Sequence, residues 1–178
     1  MQETKRYRGN EWLFRVAKFS NKVRLVSIVY VLHAMFVASV MTMSVNAWVG
    51  CIAFIILVGL AVMFSPAGYG ISPDDITIYL RGIPKRRLSL KDIKEIRISD
   101  YNEVFKGAWF MNSSAHIFGF VGYGNNSNLE FASYCTRTDR IVLIKPKQGV
   151  AFVISPADPQ DFVETANRML EDEGQNER

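Results

Sequence analysis

Between Arg24 and Asp74 the chain runs for 49 residues without one Asp, Glu, Lys or Arg. Few folds can absorb such a stretch, because a helix of about 20 apolar residues already spans a hydrocarbon core of about 30 Å. Leu25 to Val45 supplies 21 mostly apolar residues and Ala47 to Phe64 supplies 18, with Ser44, Asn46 and Gly50 marking a turn between them. The spacing predicts two membrane-crossing helices joined as a hairpin. A secretory signal peptide fits poorly, since its apolar run is only about 7 to 15 residues long. Trp48-Val49-Gly50-Cys51 ends like a lipoprotein signal, but it lies deep in the chain with Trp in place of an aliphatic residue, outside the context lipidation needs. A soluble hairpin apolar on every side would need a large protein around it. The roughly 130 other residues cannot cover two such helices and also form a core.

Short segments rich in Lys and Arg stay on the cytoplasmic side of a membrane. Residues 1–24 carry Lys5, Arg6, Arg8, Arg15, Lys18, Lys22 and Arg24 against Glu3 and Glu11, whereas the inter-helix turn carries no charge. Arg81, Lys85, Arg86, Arg87 and Lys91 follow the second apolar run. Both termini are therefore expected in the cytoplasm, with two spans in the cytoplasmic (inner) membrane. The formal charge of +4 divides as +5 over residues 1–24, +4 over 71–157 and −5 over 158–178. Membrane-proximal cations gain about 1 kcal/mol each from anionic lipid. A bilayer is already the nearest polyanion, so lipid rather than nucleic acid is the expected partner.

Four segments are expected: a basic amphipathic N-terminus (1–24), the transmembrane hairpin (25–69, spans 25–45 and 47–64), a cytoplasmic domain (70–170) and a polar tail (171–178). Trp12, Leu13, Val16, Phe19 and Val23 recur at helical spacing, with Arg15, Lys18 and Lys22 on another face. That pattern reads as a helix leading into the first span, lying in the membrane interface or packed on the folded domain. Cys51 and Cys135 form no close pair and no metal spacing, so neither a disulfide framework nor a metal site is expected. His33 is the one readily ionisable side chain inside a span, and such a residue marks a candidate functional position. The plainer reading is a neutral imidazole hydrogen-bonded to the partner helix or to backbone.

Beyond Gly70 the pattern changes to short β-type runs separated by turn residues. Strands are expected at Ile76 to Leu80, Lys85 to Leu90, Lys91 to Ile98 (with Ile96 and Ile98 inward), Ile117 to Val121, Leu129 to Tyr134, Ile141 to Lys145 and Val150 to Ile154. A helix should close the domain: Asp158 can cap it, Pro159 suits its first turn, and Phe162, Val163, Ala166, Met169 and Leu170 share one face. Seven antiparallel strands and one C-terminal helix is the order of pleckstrin-homology (PH) domains. The residues themselves resemble the bacterial PH-like domain family. The resemblance is carried by Gly70-Ile71-Ser72-Pro73-Asp74-Asp75, Leu88-Ser89-Leu90-Lys91-Asp92-Ile93-Lys94-Glu95-Ile96, Phe118-Gly119-Phe120-Val121-Gly122-Tyr123, Tyr134-Cys135-Thr136-Arg137-Thr138-Asp139-Arg140 and Ile154-Ser155-Pro156-Ala157-Asp158-Pro159. It covers roughly residues 70 to 170 and implies an α+β membrane protein, with the helical hairpin followed by a PH-like antiparallel β-barrel of about seven strands capped by the C-terminal helix.

Two surfaces are candidates for binding. Arg81, Lys85, Arg86, Arg87 and Lys91 form a cationic hairpin, and in eukaryotic PH domains, similar in architecture, cations on the first hairpin grip phosphoinositide headgroups. Alternation puts Lys85 and Arg87 on one strand face and Arg86 on the other, which suits a diffuse lipid surface better than a single phosphate. The segment Tyr101 to Asn128 holds Trp109, Phe110, Phe118 and Phe120, read either as cover for the barrel or as a partner-binding surface. Gly119-Phe120-Val121-Gly122-Tyr123-Gly124 lacks the Lys-Ser or Lys-Thr and following helix of a nucleotide loop. His116 stands alone in the soluble part, with no nucleophile elbow, and Asp74-Asp75 reads as a turn. No cofactor and no enzymatic activity are expected. The expected function is a membrane-anchored interaction module that contacts anionic inner-leaflet lipid, a membrane protein or a second copy. The different-class alternative is an accessory subunit of a transporter or membrane enzyme, held through the hairpin.

Overall fold

The computed structural model describes residues 5–8, 10–18, 21–82, 86–106, 109–111, 120–126, 129–137 and 139–176. The apolar stretch forms two helices, α1 (Asn21–Ser44) and α2 (Ala47–Phe64), packed as a hairpin. Asn46 caps α2, its side-chain oxygen accepting from the Trp48 N–H at 3.1 Å. Gly50 is not a turn residue: it lies inside α2, where a Cβ would overlap Thr42 and crowd the Ala38 carbonyl of α1. Small residues on both helices allow that close approach, and Ala34, one turn before Ala38, is 1% exposed. By length and composition one stretch, Ser27–Ser44 in α1, is long and apolar enough to cross a membrane. The described apolar run of α2, Ala47–Gly59, is shorter. One helix thus meets the span criterion where two were expected.

Among the described residues, the N-terminal segment ahead of α1 is strand rather than the expected helix; Phe19 lies outside the described residues, and Val23 is already in α1. Lys5–Arg8 (β1) and Glu11–Arg15 (β2) form an antiparallel hairpin, with Tyr7 opposite Trp12. Within β2, Phe14 is buried and its neighbour Arg15 is exposed, the alternation of a strand with one wet face. Trp12 and Val16 also fit a helical count, which is why that period looked helical; Phe14, outside that set, decides the matter by packing edge-on against Phe162 at 5.0 Å. Strand β2 pairs with β3 (Pro66–Ile71), Trp12 facing Ile71 and Arg15 facing Gly68. The helical hairpin is therefore an insertion between two neighbouring antiparallel strands, and both its ends are planted in one sheet.

The chain continues through β4 (Asp75–Leu80), β5 (Arg86–Ser89), a 3-10 turn (Leu90–Asp92) and β6 (Ile93–Ser99), then the one-turn α3 (Tyr101–Val104) and β7 (Trp109–Met111). After these come β8 (Phe120–Asn126), β9 (Leu129–Cys135), β10 (Ile141–Pro146), β11 (Ala151–Ile154) and α4 (Pro159–Asn176). Among the described residues these strands make two open sheets rather than a closed antiparallel barrel. One runs β1-β2-β3-β4-β5, the other β6-β10-β11-β9-β8-β7. In the second, β11 enters between β10 and β9 and lies parallel to β9, Ala151 beside Phe131 and Ile154 beside Tyr134. The β10 strand shifts register against β6 between Lys145 and Pro146. Ile96 is buried as expected, but Ile98 is 43% exposed. The expected run 117–121 is described only from Phe120.

Tyr69, Ile71, Ile76, Ile78, Ile96, Tyr134, Val142, Ile144 and Ile154 form the main core with Phe14, and α4 supplies Phe162 and Ala166 to it. The stripe anticipated for this helix is the one that packs, and Asp158 caps it through the Asp161 N–H at 3.1 Å. On the opposite face of the second sheet, Phe131, Cys135, Ile141, Leu143, Ala151 and Val153 bury a second cluster with Val104 and Phe105. Strands apolar on both faces, such as Ile141-Val142-Leu143-Ile144, follow from that double burial.

Candidate functional site

The β4–β5 hairpin sits at the foot of α2. The Gly82 N–H donates to the Met63 carbonyl (3.0 Å), and the Arg81 N–H donates to the Ser65 carbonyl (3.1 Å). Ser65 itself ends α2, its N–H and Oγ both bonded to the Val62 carbonyl (3.1 and 2.8 Å). Gly82 lies close against the helix: a Cβ there would fall 2.6 Å from the Met63 Cγ and 3.1 Å from its Cα. The turn that follows Arg81 is thus tied to the last turn of the helix by backbone, which no side-chain rotation can undo.

The expected cations divide along this hairpin. Arg81 and Arg86 are exposed near the tied end, and Lys85 lies outside the described residues. Arg87 stands opposite Thr77 and Arg86 opposite Ile78, so they occupy different faces as alternation demands. Arg87 Nε is 3.8 Å from the Asp75 carboxylate, a loose, half-wet pair. That carboxylate also accepts from Thr77 Oγ1 (2.9 Å) and Ser72 Oγ (3.1 Å), closing the Ser72-to-Asp75 turn. Lys91 is exposed in the 3-10 turn beyond the other end of β5, at least four extended residues or roughly 13 Å from Arg86. It does not join the group at the helix foot.

The aromatic segment is placed in part. Trp109 and Phe110 belong to edge strand β7, opposite Asn125 and Gly124; Phe120 opens β8 opposite Cys135. Phe118 and His116 lie outside the described residues. His33 is exposed on α1, with no bond to α2 among the described residues. Among the described residues no His, Cys, Asp and Glu cluster could hold a metal.

Two constellations escaped sequence reasoning. On the outer face of the first sheet the Tyr79 hydroxyl donates to Glu11 at 2.6 Å. Burial, and then the Glu11 carboxylate, push the Tyr79 phenol up to about 12. Glu11 crosses β3 over Gly70, where any Cβ would overlap its carboxylate. The only signal was the alternation Gly68-Tyr69-Gly70-Ile71, small outward and large inward.

The second is a buried polar junction. Tyr69 donates to the Tyr134 carbonyl (2.7 Å), and the Ser155 N–H donates to the Tyr69 hydroxyl (3.3 Å). The Thr136 N–H donates to Ser155 Oγ (2.7 Å), and Thr136 Oγ1 donates to the Ala17 carbonyl (2.6 Å). The Ala17 N–H returns to the Ser155 carbonyl (2.9 Å). Each buried polar group is answered, so the junction locks the exit of β2 to the β9 and β11 ends. Beside it Cys135, fully buried, has its thiol pushed up to about 12 by that burial and is chemically quiet.

Two open sheets closed by a C-terminal helix, with a polar turn as the candidate site, make this a small β-rich domain. A family model described as bacterial PH domain matches residues 67–170, and the chain belongs to that family. The matched region opens in β3 and ends in α4, so β1, β2 and the helical hairpin precede it. No curated protein matches the chain, and no solved structure does.

Proposed function

We propose that this protein is a non-enzymatic, membrane-anchored interaction module whose cationic turn contacts the anionic lipid of the cytoplasmic leaflet. In this reading α1 and α2 both cross the inner membrane, both termini are cytoplasmic, and the domain hangs from the hairpin by β2 and β3. The observation that carries it is the pair of backbone bonds from Arg81 and Gly82 to the end of α2. If α2 crosses the membrane, these bonds keep the turn near the point where the helix leaves the hydrocarbon, within a screening length of lipid phosphates, which supports the reading. The cationic flanks of the apolar stretch and its uncharged far turn support the orientation. Anchoring raises the local concentration of the turn at the bilayer, so weak intrinsic affinity is enough.

Because β2 and β3 are antiparallel neighbours, a short loop can replace α1 and α2 without breaking the sheet. That hairpin-free chain should bind anionic vesicles and release them as salt rises. Arg81→Glu, Arg86→Glu and Arg87→Glu together should cost at least about 3 kcal/mol of binding, more than 100-fold. Equal sedimentation of the triple variant and the parent with anionic vesicles would sink the lipid reading.

A further inference from the structure

The polar side chains within α1 are treated unequally. Tyr30 reaches the Leu57 carbonyl of α2 at 3.5 Å, and Ser39 and Thr42 donate to the carbonyls of Met35 and Ala38, each at 2.9 Å. His33, half-way along the 24-residue helix, is exposed and has no partner among the described residues. It is off the stripe that meets α2, which runs through Tyr30, Ala34, Ala38 and Thr42. The groove between the helices, lined by Met35, Ala38, Thr42, Gly50, Cys51 and Phe54, does not include it either. If α1 spans a membrane, as proposed above, this imidazole faces hydrocarbon at mid-depth, where an unbonded polar group is strongly disfavoured.

His33 also sits in a pattern. Val29, His33, Phe36, Val40 and Met43 follow one another at spacings of four and three, and all are exposed. That is the spacing a left-handed helix pair uses along its seam, where one polar residue at a core position sets register and partner number. We infer that α1 uses this seam to pair with α1 of a second copy, His33 meeting His33 within the membrane. Self-pairing is favoured by the chemistry of the group. A neutral imidazole has one N–H donor and one bare nitrogen acceptor, so two of them satisfy each other in part. A two-fold axis along the membrane normal sets identical residues at the same depth, and the contact needs no complementary partner to be found.

The test is energy transfer between donor- and acceptor-labelled full-length chains in liposomes, followed as the protein-to-lipid ratio is lowered. Association should weaken about three- to tenfold in His33→Leu, the range for one interhelical hydrogen bond. It should recover in His33→Asn, which restores a donor and an acceptor, and weaken again in Phe36→Ala. Transfer unchanged by His33→Leu overturns the inference, as does a wild-type chain that is monomeric at every ratio. Capture of a different membrane protein through His33 by such a monomer overturns it equally. Alkaline extraction of the same liposomes keeps the two readings apart. Release of the chain refutes the membrane span itself, whereas an integrated but monomeric chain refutes only the pairing.

Discussion

Truncating Phe14 to alanine tests whether the N-terminal strand is part of the domain or an appendage of the membrane helices. Phe14 is 3% exposed and packs in the main core, with the Phe162 ring 5.0 Å away. A buried phenylalanine removes about 150–250 Å² from water, and at about 25 cal/mol per Å² the lost burial is about 3–5 kcal/mol after allowing for the remaining Cβ. Core Phe-to-Ala changes fall in the same range once the cavity is included. The assay is urea unfolding of the full chain in mild detergent, read by tryptophan fluorescence. For a slope of about 1–3 kcal/mol per molar urea, a loss of about 4 kcal/mol lowers the midpoint by roughly 1.3–4 M. Arg15→Ala, the exposed neighbour on the same strand, should leave it nearly unchanged. A Phe14→Ala midpoint equal to that of Arg15→Ala would mean that β2 does not pack on the core, and the sheet order described above would be wrong.

Two further perturbations probe the helix foot and the second sheet. Gly82→Ala forces a Cβ against Met63, including its Cα, and should cost about 1–3 kcal/mol; Met63→Ala in the same chain should relieve part of that cost, and strict additivity in the double-mutant cycle would deny the contact. Glu103, held by Arg97 and then by Ser99, has its carboxyl lowered to about 2 from 4.5. Its folded value is depressed, so its contribution is present above about pH 4.5 and fades as pH falls toward 2. The partly exposed pair is screened, so the effect is modest. Glu103→Gln should flatten this acid limb of the stability curve, and superimposable limbs for the two chains would remove the pair from the account.

Much of this architecture is legible in local pattern. The helices of the hairpin follow from apolar length, β4, β10 and β11 from β-branched runs between turn residues, β9 from an apolar and aromatic run, and α4 from Asp158, Pro159 and the Phe162–Ala166 face. Those signals are local because helix capping and strand alternation act over a few residues. The N-terminus defeated the same logic. Over a dozen residues Trp12, Leu13 and Val16 satisfy a helical count, and the strand is chosen by pairing with β1 on one side and with β3, more than fifty residues on, on the other. The candidate cations were visible as residues, but their division between the helix foot and the far end of β5 was not.

By itself, the sequence determined that this chain carries two apolar helices in tandem, a β-rich domain with a C-terminal helix, and cations flanking the apolar part, since each rests on composition or on periods of two and 3.6 residues. Tertiary structure alone decided that the helices interrupt a β-hairpin, that β11 slips between β10 and β9, that the Arg81 turn is tied to α2, and that His33 faces away from its neighbour. Each of these depends on which distant backbone groups find each other, and the free energy of those pairings is shared between segments that carry no record of one another.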